Sequence, residues 1–221
     1  MGRLTRMIEL AKLLYLQRVT GFEVDDVPML DDEAGRWFTD RIGQCASYLE
    51  FGAGGTTRLA ARLQVPTISV ESDRYFAAAV RKGLAPGHTV TLIDADIGLT
   101  TNWGIPVPGT PNTRRVKRWR RYVDLPFATL ERIGQPFPDL VLVDGRFRRA
   151  CALQVAYKAA RARAQCDLLF DDYYREERTH YSAIESFLGE PEPLGRAGLF
   201  RISPDRQVCE TDIAEAMRDF R

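Results

Sequence analysis

The chain has 221 residues, of which 45% are apolar and 28% charged, with a formal net charge of +1. That length favours one domain with a sizeable core, and the composition is that of a soluble globular protein. The balanced charge excludes a global field that steers one kind of partner, so only local patches matter. No run approaches the ~18 uncharged apolar residues of a membrane-spanning helix, so no membrane partner is expected. The four cysteines, Cys45, Cys151, Cys166 and Cys209, are widely spaced and form no C-x-x-C pair. With only two histidines, a structural zinc site is not expected, and reduced thiols in a cytoplasmic protein are the simple reading.

Leu4 to Val19 has apolar residues at helical spacing, with Leu10, Leu13, Tyr15 and Leu16 widening the apolar face. Charges at Arg3, Arg6, Glu9, Lys12 and Arg18 make it an amphipathic helix and not a signal-peptide core. The plain reading is a helix wrapped on its own domain; the alternative is a homodimer contact through the same helix. Residues 1–29 are thus expected to form a helical extension, and residues 30–221 the main domain. A helix over Glu33–Gly43 follows, with acidic residues at its positive end.

From Ala46 the chain alternates. Strand Ala46–Phe51 precedes helix Thr57–Leu63, strand Thr67–Glu71 precedes helix Arg74–Lys82, and strand Thr89–Asp94 follows. A long irregular connection then runs from Gly98 to Pro126. Beyond it come strand Leu140–Asp144, helix Arg149–Ala164, strand Asp167–Asp171 and helix Thr179–Leu188. Leu194–Ser203 reads as one or two short strands, one of them antiparallel, and Asp212–Phe220 as a final helix. Such alternation predicts an α/β, Rossmann-like, doubly wound and mainly parallel seven-stranded sheet. Continuous apolar strands predict helices on both faces.

The first strand ends in Glu50-Phe51-Gly52-Ala53-Gly54-Gly55-Thr56-Thr57. Glycines there let a ligand approach the backbone and aim helix N–H groups at it. Glu71 ends the next strand about 20 residues past the first glycine, where a ribose-binding carboxylate belongs. The turn lacks the third glycine of the dinucleotide fingerprint, and Glu50 suits a cationic ligand better than a pyrophosphate. An NAD-binding oxidoreductase is therefore the weaker alternative.

Glu50-x-Gly52-x-Gly54, Glu71, Asp96-Ile97 and Asp144 together resemble the class I S-adenosylmethionine-dependent methyltransferase pattern. Ser69–Asp73, Asp96–Gly98, Val143–Arg148 and Leu169–Tyr173 are similar to blocks of a bacterial methyltransferase-like group of unassigned function. The resemblance implies S-adenosylmethionine as cofactor, held by Glu50, Phe51, Gly52, Ala53, Gly54, Thr56, Thr57, Glu71, Ser72, Asp96, Ile97 and Asp144. In that reading Glu50 neutralises the methionyl end, Glu71 accepts from the ribose hydroxyls, Asp96 accepts from the adenine amino group and Ile97 packs on the ring. It implies O- or N-methyl transfer to a small or anionic acceptor. A non-catalytic methyltransferase-like binding or assembly module is the rival.

Asp144, Asp171 and His180 are the catalytic candidates. Asp144 with Asp171-Asp172 is also a tentative divalent-cation set, similar to the magnesium site of catechol-type O-methyltransferases. Those enzymes carry an acidic–amide pair where this chain has Asp-Asp, and Arg146 or Arg148 neutralising Asp144 is the alternative. His180 as proton acceptor stands against a histidine merely bonded to Asp171 or Asp172. Residues 98–126 form the expected lid or substrate loop. Its six cations over Arg114–Arg121, with Trp119 and Tyr122, suit an anionic acceptor or, less favoured, nucleic acid; the plain reading is a solvated basic helix face anchored by Trp119.

Overall fold

The structure, a computed structural model, describes residues 11–220. Residues 11–15 are helical and run into a π-helical turn, Leu16–Thr20. Leu13 is buried, while Tyr15 and Val19 are exposed. The first part of the expected Leu4–Val19 helix, residues 4–10, lies outside the described residues.

Helix α1, Asp32–Ile42, starts because Asp31 accepts hydrogen bonds from Glu33 N and Ala34 N, both at 3.0 Å. Its buried residues, Ala34, Phe38 and Ile42, recur every four positions and give it one apolar face. Strand β1, Tyr48–Phe51, is buried along its whole length and leads through the glycine turn into α2, Gly55–Arg62. Strand β2, Thr67–Glu71, and α3, Arg74–Lys82, fall where the sequence places them. Local signals set α3: the Asp73 carboxylate accepts from Tyr75 N and Phe76 N, and Gly83 stops the helix. Strand β3, Val90–Asp94, follows.

The connection after β3 differs from expectation. Its irregular part ends at Asn112, whose side chain accepts from Arg115 N at 2.9 Å and caps α4, Thr113–Ile133. The basic run therefore belongs to a 21-residue helix and not to a loop. Arginine and lysine are good helix formers, and Trp119, Tyr122, Val123, Phe127 and Leu130 supply a buried stripe at helical spacing. Trp119 is 1% exposed, so it anchors a basic face, as the plain reading holds.

Strand β4, Leu140–Val143, α5, Arg148–Ala162, and β5, Cys166–Phe170, continue the alternation. The helix expected over Thr179–Leu188 is instead a 3-10 stretch, Glu176–Ile184, followed by a single α-turn, α6, Glu185–Leu188. Ser182 Oγ donates to Thr179 O at 2.9 Å, a local bond that competes with α-helical pairing. Strands β6, Glu192–Leu194, and β7, Ala197–Ile202, form a hairpin, and α7, Glu210–Ala216, closes the domain.

The seven strands lie in the order β3-β2-β1-β4-β5-β7-β6. The first five are parallel, while β7 runs antiparallel to both β5 and β6. Alternation along each strand divides the core into two layers. Tyr48, Leu140 and Leu142 pack with Phe38 and Ile42 of α1 on one face. Leu49, Phe51, Val141 and Val143 pack with Trp119, Tyr122 and α5 on the other. The order reverses between β1 and β4, so the crevice for a ligand lies at the carboxyl ends of those two strands.

The segment before α1 is strapped to this crevice. Arg62 donates to Asp26 O at 2.8 Å, and Arg58 pairs with the Asp26 carboxylate at 2.8 Å. Asp31 also accepts from Arg196 N at 2.8 Å in the β6–β7 turn, tying the helix cap to the far edge of the sheet. Asp31→Ala removes the cap and this tie together. It should lower unfolding stability in urea by about 1–2 kcal/mol, the cost of a lost helix cap; an unchanged urea midpoint contradicts this account.

Candidate active site

The turn after β1 is built from beneath. Alternation in β1 sends Glu50 to the α1–α2 face with Tyr48, where it is fully buried. Its carboxylate accepts from Tyr48 Oη at 2.9 Å, from Thr56 Oγ1 at 2.6 Å and from Thr57 Oγ1. Thr57 Oγ1 in turn accepts from Gly54 N at 2.9 Å, which fixes the turn. Burial pushes the Glu50 pKa up, and the hydroxyl donors oppose that shift. Glu50 thus presents no surface to a ligand above the turn. The direct contact with a methionyl group expected of it is not what its orientation offers.

Two glycines let the ends of β1 and β4 meet. Gly52 has φ +106°, and a side-chain carbon on it would lie 2.9 Å from Gly145 N. One on Gly145 would lie 3.0 Å from Phe51 O. Asp144 N donates to Phe51 O at 2.9 Å across the same junction. The Tyr122 hydroxyl takes the space a Gly145 side chain would fill, so backbone and this one tyrosine hydroxyl meet at the junction.

Glu71 ends β2. Its Oε1 accepts from Ser72 N at 2.6 Å, Ser72 Oγ at 3.0 Å and Asp73 N at 2.8 Å. Burial pushes its pKa up, while those bonds hold it down. Asp96, beyond β3, is gripped by Arg118 of α4 through both carboxylate oxygens at 2.6 Å, which holds its pKa below the usual carboxylate range. Ile97 is only 2% exposed and belongs to the core, so it shows no face to a ligand.

The fourth and fifth strand ends form one charge network. The Arg148 guanidinium, 2% exposed, donates to Gly145 O at 3.1 Å, to Asp144 O and Oδ1 at 2.8 Å, and to Asp171 O. It also lies 3.6 Å from Asp172 Oδ2. Arg196, from the β6–β7 turn, reaches Asp171 at 3.2 Å and Asp172 at 2.9 Å. Arg175 lies 3.5 Å from Asp172. Arginines therefore occupy the carboxylates that the tentative magnesium site needs. Among the described residues no group of three or more His, Cys, Asp or Glu side chains is arranged to hold a metal ion. The metal expectation is corrected accordingly: the neutralising alternative, with Arg148, is what the structure shows.

The Asp144 carboxyl lies close to Asp171 and Asp172. Burial first, then the charges of Asp171 and Asp172, push the Asp144 pKa up to about 7 against the pull of Arg148. His180 Nε2 lies 3.5 Å from Asp219 Oδ2, beside Arg149. Arg196 was not singled out from the sequence, where it sits in an ordinary Leu194-Gly195-Arg196 turn. Arg118 was visible only as one member of the basic run.

Two open clefts flank this rim. One, of about 560 Å³, lies between α4 and α7 and is lined by Lys117, Arg120 and Arg218 with Asn112, Thr113 and Val116. The other, of about 540 Å³, is lined by Arg149, Glu215, Arg218, Asp219 and Phe220. Phe147 N donates to Phe220 O at 3.4 Å, so the second cleft adjoins the turn after β4.

A seven-stranded sheet in this order, with a glycine turn after β1 and acidic residues beyond the following strands, defines a Rossmann-like methyltransferase fold. A methyltransferase-like protein from Silicibacter pomeroyi, solved as a crystal structure, is similar at 32% identity, over 88% of this chain and 100% of that chain, with a TM-score of 0.70. The chain belongs to this methyltransferase-like family. The T. thermophilus 16S rRNA N2 G1207 methyltransferase, solved with AdoMet and guanosine, is 13% identical over 78% of this chain and 40% of that chain, with a TM-score of 0.38. No protein-family model and no curated protein matches the chain.

The shifted Asp144 carboxyl makes stability depend on pH. Between the ordinary 3.8 and about 7 the folded protein keeps a proton that the unfolded chain has lost. Stability from this group is therefore greatest at the acid end and falls as pH rises through that window, then levels off. Asp144→Asn should remove that component of the slope. A urea-unfolding series from pH 4 to 8 with equal slopes in both proteins contradicts the shift.

Proposed function

We propose that this protein is an S-adenosylmethionine-dependent methyltransferase acting on an oxygen or nitrogen of a small anionic acceptor. One observation carries the reading: Glu71, Asp96, Asp144 and Asp171 stand at the ends of β2, β3, β4 and β5, on either side of the glycine turn that ends β1 and meets Gly145. The cradle fits the cofactor at its centre. Glu71 uses Oε1 for all three of its hydrogen bonds, which leaves Oε2 for ribose hydroxyls. The fit is poorer at the adenine end, where Arg118 holds Asp96.

The cofactor, when bound, supplies the reactive methyl group. The protein's own work is orientation, water exclusion and proton removal. The Asp144–Asp171 pair is suited to take a proton from an acceptor hydroxyl or amine, because a carboxyl that titrates near 7 is half ionised at working pH. Arg148 holds both strand ends in place and stabilises the negative charge that develops there when the pair loses its proton. Lys117, Arg120 and Arg218 support an anionic group on the acceptor, seated in the α4–α7 cleft.

All four cysteines are free thiols, which supports a reducing, cytoplasmic setting. No helix among the described residues is long and apolar enough to cross a membrane. Exposed Tyr15 and Val19 support a homodimer through the N-terminal helix. A second reading, a non-catalytic ligand-binding member of the family, is favoured by the Arg118–Asp96 pair and the buried Ile97.

Calorimetric titration with S-adenosylhomocysteine tests the cofactor. Binding is expected, and Glu71→Ala, titrated at a temperature where circular dichroism shows it folded, should weaken it at least tenfold, the scale of lost hydrogen bonds to a charged group. No binding by the wild-type protein overturns the assignment. Binding with no methyl transfer to any of a panel of phosphorylated and carboxylated acceptors supports the second reading.

A further inference from the structure

We infer that Trp103 is a cofactor-binding residue, whose indole stacks on the purine ring of the ligand in the β1–β4 crevice. The inference rests on the cofactor reading above and supplies what that reading lacks. A purine needs a flat apolar wall. Ile97, the residue the resemblance assigns to that wall, is 2% exposed and packed in the core. Something else must cover the ring.

Residues 99–107 form a small hairpin. Val107 N donates to Leu99 O at 2.7 Å, Thr101 N to Ile105 O at 2.8 Å, and Thr100 bridges Pro106. Its base stands beside Arg118, since a side-chain carbon on Gly98 would lie 3.3 Å from that guanidinium. Its tip crosses to the middle of the crevice. A side-chain carbon on Gly104 would lie 2.7 Å from Ser72 Oγ and 3.5 Å from Arg146 Cγ. Ser72 follows Glu71, and Arg146 follows the Gly145 junction. The hairpin therefore spans from the Asp96 end of the crevice to the ribose carboxylate, over the stretch a purine would occupy.

Trp103 sits at that tip. It is 80% exposed, although burial of an indole is strongly favoured. Its backbone is left-handed, with φ +63° and ψ +24°, a conformation unfavourable for a bulky residue and found where function demands it. Of the chain's three tryptophans, Trp119 is buried and Trp37 is half-buried, so Trp103 alone offers a free aromatic face. Thr100 and Pro106 are the buried residues of the hairpin, while Leu99, Ile105 and Val107 remain exposed. So few buried contacts let the tip shift onto a ligand at little cost.

The experiment is calorimetric titration of the full chain with S-adenosylhomocysteine and, separately, with adenosine, alongside tryptophan fluorescence. In the wild-type protein the ligand should quench emission with the same Kd that calorimetry returns. Trp103→Leu should weaken both ligands about tenfold, the scale of one base–aromatic stack, and abolish the quench. Trp103→Phe should fall between. Melting temperatures within a degree or so of wild type would show that the hairpin tip carries no fold stability, as its exposure requires. A Trp103→Leu Kd within twofold of wild type for both ligands overturns the inference and leaves the cofactor assignment standing. Failure of the wild-type protein to bind either ligand overturns both, so the two failures are told apart by the first titration.

Discussion

The Arg148 guanidinium is the constraint on which the site depends. A buried cation is costly unless its charge and every N–H are satisfied. Arg148 meets that condition only where the backbone carbonyls of Asp144, Gly145 and Asp171 and the carboxylates of Asp144 and Asp172 converge. It therefore pins the ends of β4 and β5 to the first turn of α5. The same demand explains why three acidic residues can share this edge without a metal. Arg196 and Arg175 complete the neutralisation from the solvent side.

A division of labour follows along the crevice. At the β1–β4 junction the ligand would meet backbone, because Gly52 and Gly145 press together and Glu50 is sealed under Thr56 and Thr57. At the β2 end it would meet one free carboxylate oxygen of Glu71. At the β4–β5 end it would meet the Asp144 carboxyl, whose pKa burial and the charges of Asp171 and Asp172 push up to about 7. The strand ends of one sheet edge thus differ in their electrostatics. The chain's net charge of +1 conceals a local asymmetry: the rim formed by α4 and α7 carries Lys117, Arg120 and Arg218, whereas the strand ends carry carboxylates.

Much of this was legible in the residues. The sheet class, β2 and α3 to the residue, and the antiparallel strand near the C-terminus follow from apolar runs, the Asp73 cap and the Gly83 stop, all of which are local signals. Glu71 was legible because its distance from the glycine turn reflects the length of one β-α-β unit. Other features were not. The start of α4 was missed because its basic first turns show no apolar stripe until Trp119, so an exposed helix reads like a loop. The Thr179–Leu188 helix was over-read because its periodicity does not distinguish a 3-10 stretch from an α-helix.

The sequence by itself determined which groups are available and which strand each one ends: acids after β2, β3, β4 and β5, glycines after β1, cations on α4. Only the tertiary structure decided what each group faces. Glu50 turned inward because alternation places it with Tyr48, and which face α2 covers is a packing matter. Asp96 was claimed by Arg118 across 22 residues, Asp171 by Arg148 across 23 and by Arg196 across 25. His180 stands beside Asp219, 39 residues away in the chain. Spacing along the chain encodes periodicity within an element, whereas charge pairing is set by which elements the fold brings side by side, and that is a property of the packed sheet and its helices.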